Sequence, residues 1–292
     1  MPRIIDYTVP DSFDGSKLFR FLRGEVGMSY SLMTSLKQTD SAIKINGQNA
    51  RTIDRISSGD TVTVTIPFGK CTAVPTQHEL DIVYRDEDVL VIYKPPDIAM
   101  HPSHGHAADT LANAAAYYLQ SIGHSGAFKA VGRLDKGTSG IVICALNRLS
   151  ASILSGKVDK TYIALCEGKI TENGTVDMPI IRPDPDKTTR ACSENGERAI
   201  THYEVVESFE NATLLRLKLD TGRTHQIRVH MAYIGHPLLG DTLYGNKLSF
   251  PDHHLLHCET AAFIHPVTKE YLEFSAPMPE DFKKILNDLQ KR

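Results

Sequence analysis

The chain has 292 residues, 41% of them hydrophobic and 23% charged, with a formal net charge of −3 and five cysteines. That length suffices for one large domain or a large one with a small companion, and the composition is ordinary for a globular protein. No apolar run approaches bilayer-spanning length and the first residues lack a secretory signal's apolar stretch. An odd cysteine count without a Cys-x-x-Cys pair argues against a disulfide framework or a structural zinc site. A cytoplasmic location is expected.

In chain order, Leu18, Phe21, Leu22 and Val26 fit one face of an amphipathic helix, and Leu32, Met33 and Leu36 fit a shorter one. Ile43-Lys44-Ile45 alternates into an Asn46-Gly47 turn, and Val62-Thr63-Val64-Thr65-Ile66 alternates again. Both patterns break at Pro67-Phe68-Gly69-Lys70 and Ala73-Val74-Pro75-Thr76. A boundary is therefore predicted between a small module, 1–70, and a larger domain, 71–292.

Beyond the boundary, Val89 to Ile92, Ile141 to Leu146, Tyr162 to Leu165 and Leu214 to Leu219 read as strands, with helical patterns near 109–120, 147–157 and 224–234. Turns are expected at Glu194-Asn195-Gly196 and Glu210-Asn211-Ala212, and Pro279-Glu280-Asp281 leads a final helix whose Phe282, Ile285, Leu286 and Leu289 share a face. Strict βαβ repetition is missing. The fold class is α+β, with a mixed, largely antiparallel central sheet.

Chemistry concentrates in two segments. In Gly132-Arg133-Leu134-Asp135-Lys136-Gly137-Thr138-Ser139-Gly140 one acid precedes a buried strand. Glycines 137 and 140 permit positive φ and close backbone approach, so Asp135 can be held rigidly as a nucleophile. The second segment, Thr221-Gly222-Arg223-Thr224-His225-Gln226-Ile227-Arg228-Val229-His230, supplies a cation. Arg223 is expected to grip Asp135, since a guanidinium keeps its charge when desolvated and favours the ionised acid. Thr224 reads as the N-cap of a helix with Ile227, Met231 and Ile234 inward, His225 and Arg228 on the other face, and Gly235 and Pro237 at its end.

These residues resemble the RluA family of RNA pseudouridine synthases. The run Gly132 to Gly140 matches the family's catalytic-Asp signature except that Gly132 replaces a leading His. Thr221 to His230, continued through Ile234 to Asp241 and Leu243-Tyr244-Gly245, resembles its longest block, and Lys160-Thr161-Tyr162 the strand of its active-site Tyr. Leu255-Leu256-His257, His265-Pro266 and Ala276-Pro277 fit its closing strands. Residues 1–70 are similar to the S4 RNA-binding domain that often precedes such synthases.

The resemblance implies isomerisation of uridine in RNA: the bond from N1 to C1′ breaks, the uracil turns, and C5 joins C1′. No cofactor and no metal are required. Asp135 could attack C1′, attack the base, or take the C2′ proton. The resemblance makes Asp135, Tyr162 and Arg223 catalytic, with Arg133, Lys160, His225, Gln226 and Arg228 binding substrate. Arg133 would fill the stack vacated by an extruded uridine or hold phosphates. Because the net charge is negative, cationic surface must be local; residues 1–70 carry nine Lys or Arg against seven Asp or Glu, the remainder 23 against 28. A track through Arg20, Arg23, Lys37, Arg133 and Arg228 is expected. The implied partner is RNA, large-subunit ribosomal RNA ahead of transfer RNA, and a monomer is the simplest state.

Two other readings compete. An aspartyl-phosphate phosphotransferase would use Asp135 as acceptor but needs further acids for Mg²⁺, and none lies near in sequence. A non-catalytic RNA-binding protein would not require both Asp135 and Arg223. The sets His101, His104, His106 and His253, His254, His257, Cys258 lack a complete zinc signature.

Overall fold

The first 66 residues build their own sheet. The computed structural model describes residues 2–67, 69, 71–103, 105–124, 128–246 and 251–291. Strand β1 (Arg3–Thr8) is followed by helices α1 (Leu18–Gly24) and α2 (Tyr30–Leu36), then β2 (Ile43–Ile45), β3 (Gln48–Asn49) and β4 (Thr61–Ile66). The sheet order is β1-β4-β2-β3, entirely antiparallel. Leu18, Phe21 and Leu22 of α1 and Leu32, Met33 and Leu36 of α2 pack on Ile43, Val62, Val64 and Ile66, so the two predicted helical faces do share one core. Val26 joins that core from beyond the end of α1. Strand β1 was not expected: only Ile5 within it is fully buried, since it pairs on one side alone.

No helix or strand occurs among the described residues of 67–80, where the prolines fall. Phe68 and Lys70 of the predicted linker lie outside the described residues, as does His104.

The second part opens with the hairpin β5 (Asp81–Arg85) and β6 (Val89–Lys94), helix α3 (Leu111–Ser121), β7 (Lys129–Val131), β8 (Ser139–Ala145) and α4 (Arg148–Leu154). It continues with β9 (Asp159–Glu167), β10 (Gly174–Asp177), β11 (Ile180–Ile181), β12 (Ala191–Cys192), β13 (Ile200–Ser208), β14 (Ala212–Leu219) and α5 (Gln226–Tyr233). Strands β15 (Leu256–Ile264) and β16 (Tyr271–Ser275) and helix α6 (Glu280–Gln290) close it. Among the described residues the main sheet runs β10-β13-β14-β9-β15-β8-β6-β5, with β7 on β8 and β16 on β15. Only the β8–β15 pairing is parallel, so the expected mixed, largely antiparallel α+β architecture holds.

The unbroken apolar run of β8 reflects burial on both faces. Val142 and Cys144 face a core with Leu111, Ala115 and Leu119 of α3 and Ile227 and Met231 of α5. Ile141 and Ile143 face the opposite core with Val89, Leu154 and Phe263. Phe282 and Leu286 of α6 pack on Ile163, Leu165 and Leu214, with Ile285 and Leu289 at the margin, as their spacing predicted.

Helix α4 is shared between the two parts. Leu149 and Ile153 belong to the core of the first sheet, whereas Leu154 belongs to the second. Beside it Arg3 donates through Nε and Nη2 to Asp88, whose carboxylate also accepts from Asn147. Asp86, Asp88 and His265 cluster here, but their acceptors are spent on the protein: Asp86 takes the N–H groups of Asp88 and Val89, and His265 Nδ1 those of Val267 and Thr268. The cluster is a structural hub joining the two sheets.

Candidate active site

Loop 132–138 carries Asp135 up to the start of β8, and Gly140 fixes how β8 meets its neighbour. Gly140 has φ +114°, and a Cβ there would sit 2.1 Å from the carbonyl oxygen of Cys258; only glycine admits the close parallel approach of β15. Thr138 donates its N–H to the Asp135 carbonyl, while its hydroxyl meets His254 Nε2 at 2.8 Å. Gly137, expected to use positive φ, does not; it makes room for His253 and His254, 3.0 Å from where its Cβ would lie.

Below the loop, Lys94 ends β6 wholly buried, with Nζ donating to the carbonyls of Pro95 and Lys136, each at 2.9 Å. Burial drives its pKa down to about 7, against the pull of Asp97 and Asp135. Lys94 thus pins the residue next to Asp135.

The cation that meets Asp135 is Arg228, not Arg223. Arg228 Nη1 lies 3.3 Å from Asp135 Oδ2, and its Nε and Nη2 form two 2.7 Å bonds to Asp241, which is wholly buried. Desolvation opposes charge on Arg228, but the hydrogen bond and field of Asp241, then Asp135, outweigh it and raise its pKa. Burial likewise opposes charge on Asp241, and Arg228 prevails and lowers its pKa. Arg223 turns away: Nη1 pairs with Glu197 and Nε donates to the carbonyl of Arg198. The Thr-Gly turn faces the β12–β13 loop, and those acceptors lie nearer than the carboxylate. Arg228, 6% exposed in its side chain, cannot belong to a surface track.

Helix α5 starts one residue later than predicted. His225, not Thr224, is the N-cap, with φ +58° and no capping side-chain bond. Its Nε2 lies 4.0 Å from Asp135 Oδ2 and its Nδ1 2.8 Å from the Tyr244 hydroxyl. Burial lowers the His225 pKa despite the opposing field of Asp135. Gln226, expected to bind substrate, is occupied by the fold: Oε1 accepts from Thr221 Oγ1 and the Arg223 N–H, and Nε2 donates to Ile200 and Thr201.

Tyr162, on β9 between Leu217 and Cys258 in register, is buried, and burial first, then Cys258 and Asp135, keeps its phenol pKa well above the ordinary value. Arg133 and Lys160 stand at the rim, Arg133 exposed. These residues line one cavity of about 740 Å³, walled by Leu134, Leu219, Ile227 and Leu256. Its lining mixes apolar and polar groups, and Arg228 and His225 are the two that approach the Asp135 carboxylate, 21% exposed.

The RNA pseudouridylate synthase family profile matches residues 88–233, a span holding both segments. An uncharacterized RNA pseudouridine synthase of Bacillus subtilis, YjbO, is 39% identical over 271 residues, 90% of this chain and 96% of that protein. Ribosomal large subunit pseudouridine synthase D of Vibrio parahaemolyticus is 35% identical, covering 99% of this chain and 95% of its own. The solved structure of human RNA pseudouridylate synthase domain containing 1 superposes with a TM-score of 0.57 at 26% identity, over 73% of this chain and 96% of that one. The chain belongs to the RNA pseudouridine synthase family. It is an isomerase that converts uridine in RNA to pseudouridine.

Gly132, which stands where the resembled signature carries a His, has φ +77°, a conformation glycine adopts without steric cost. Three site residues escaped the sequence reading. Asp241 and Tyr244 sit in the quoted run but face the site only through tertiary contact, and the one signal for Lys94 was a lysine ending an apolar strand ahead of Pro95-Pro96. Four histidines of the two sets are held by the chain itself: His106 on Asp109, His253 on Asp281, His254 on Thr138, and His257 between Ser139 and Ala276. Among the described residues no helix is long and apolar enough to cross a membrane.

Proposed function

We propose that this enzyme modifies large-subunit ribosomal RNA and that Asp135 is the group that attacks the extruded uridine. The observation that carries the assignment is the Asp135 carboxylate, held by the buried Arg228–Asp241 pair at the wall of a cavity the size of a ligand pocket. Detached uracil must be kept from escaping, and the apolar walls with Tyr162 against the base provide confinement and a stacking face. Arg133, exposed at the rim, fills the stack or holds a neighbouring phosphate. Lys160 and Arg223 add positive charge at the same opening.

Residues 1–70 act as the S4-like RNA-binding module, with Arg20, Arg23 and Lys37 exposed. The ribosomal assignment rests on relatives of the synthase D type that match across nearly the whole chain, and implies a cytosolic enzyme. Mapping pseudouridines in total RNA from cells with and without the protein tests it. Loss of discrete large-subunit sites is expected; loss confined to transfer RNA overturns the choice of RNA.

A further inference from the structure

Asp135 has two oxygens, and the structure treats them differently. Arg228 Nη1 and His225 Nε2 both approach Oδ2, at 3.3 and 4.0 Å, whereas no hydrogen bond reaches Oδ1 among the described residues. On the far side of the imidazole, Nδ1 lies 2.8 Å from the Tyr244 hydroxyl oxygen, which also accepts the backbone N–H of Arg190 at 2.8 Å.

Two independent constraints fix where the imidazole proton sits. A backbone N–H can only donate, so the Tyr244 oxygen spends one lone pair on Arg190 and its own proton is best directed at the lone pair of Nδ1. At the other end a bare Nε2 would set its lone pair against a carboxylate oxygen, which is repulsive; an N–H there is attractive. Both constraints select the neutral tautomer with hydrogen on Nε2. His225 itself has αL backbone and caps no helix N–H, so its ring is left to Tyr244 and Asp135.

Resting on the assignment of Asp135 as the reacting group, we propose that His225 is a neutral Nε2–H donor to Asp135 Oδ2 and that Oδ1 is the oxygen that reacts. Tyr244 is the positioning residue that sets the tautomer, and Arg190 orients Tyr244. In the free enzyme the His225 contact is about 1 Å too long for a hydrogen bond, as catalytic contacts often are before substrate closes them. Seating a nucleotide against Oδ1 shortens it, so two donors bear on one oxygen while the other is free. Arg190 ends the segment that follows β11, so the relay reaches from Asp135 to the loop that precedes β12.

Protonation of His225 would place an imidazolium beside the carboxylate and weaken it as a nucleophile. The groups facing His225 are Asp135 on its loop, Arg228 on α5, Arg190 before β12, Asp241 and Tyr244 after α5, and His254 before β15. Burial, aided by Arg228 and Arg190, holds the ring neutral against Asp135 and Asp241. In the proposed tautomer the Tyr244 hydroxyl donates to Nδ1 of the neutral ring, whereas an N–H on Nδ1 would face a hydroxyl that must first turn its own proton away, so removing the hydroxyl costs the neutral form more. The His225 pKa then rises, and the acid limb of the rate profile moves to higher pH.

The experiment is ¹⁵N NMR of histidine-labelled enzyme without RNA, with His225 assigned by its loss in His225→Gln, alongside kcat against pH. In the native enzyme Nδ1 should show the shift of an unprotonated nitrogen and Nε2 that of a protonated one. In Tyr244→Phe the two tautomers should mix, kcat should fall about ten-fold or more with KM unchanged, and the acid limb should shift upward. His225→Gln, which puts a non-titrating N–H near the place of Nε2, should keep more activity than His225→Ala and lose the acid limb. A native ring protonated on Nδ1, or a Tyr244→Phe enzyme with unchanged tautomer and pH profile, overturns the proposal. Turnover by Asp135→Asn would instead overturn the assignment beneath it, while leaving the tautomer result intact.

Discussion

At the scale of single residues, two arginines five positions apart have exchanged the roles that sequence suggests. Arg223 looked like the partner of Asp135 because it stands in a turn beside the helix start, and Arg228 looked like a solvated helix residue. Burying a guanidinium is unfavourable without a partner, and that partner, Asp241, arrives from a turn that sequence spacing could not fold back onto α5. Arg228→Lys keeps a charge but cannot span two carboxylates, so kcat should drop about 100-fold or more. Arg228→Met strands the Asp241 anion in the interior and should cost about 3–5 kcal/mol, read as a lower urea midpoint. Arg223→Ala breaks a bridge whose side chains are 41% and 73% exposed, and should change stability by less than about 1 kcal/mol. Equal effects from the two arginines would contradict the geometry.

The secondary elements separate into those that carry their own pattern and those defined by neighbours. Helices α1, α2, α3 and α6 and strands β4, β6 and β8 announce themselves by apolar periodicity or by an unbroken apolar run, and all lie where the sequence put them. Strands β1, β10, β11 and β12 do not. They are edge or two-residue pairings, set by hydrogen bonds to a partner strand and not by burial of alternate side chains. The start of α5 escaped similarly, because its N-cap is chosen by the tertiary setting of His225 and not by a capping hydroxyl. Gly140 shows how tightly an element can be specified by one contact. Gly140→Ala would drive a methyl into the β15 backbone at a φ that L-residues avoid, so it should cost at least about 2 kcal/mol and displace the Asp135 loop with it. Unfolding of purified protein in urea measures the loss; a native-like midpoint would show that β8 and β15 can part without penalty.

Across the whole molecule, the break at 67–80 is visible in the sequence, but the way the two sheets are joined is not. The junction uses α4 from one side and from the other, with Arg3 reaching over to Asp88, contacts between residues some 85 positions apart that no local pattern encodes. In the proposed function the cations that meet RNA are spread across both sheets, while the chemistry is concentrated at one carboxylate. Binding and turnover should therefore separate cleanly, and Asp135→Asn separates them with the least change of shape. In a single-turnover assay on the RNA that the native enzyme modifies, Asp135→Asn should bind with near-native affinity and form no pseudouridine. Pseudouridine formed at a rate near that of the native enzyme would contradict the account at its centre.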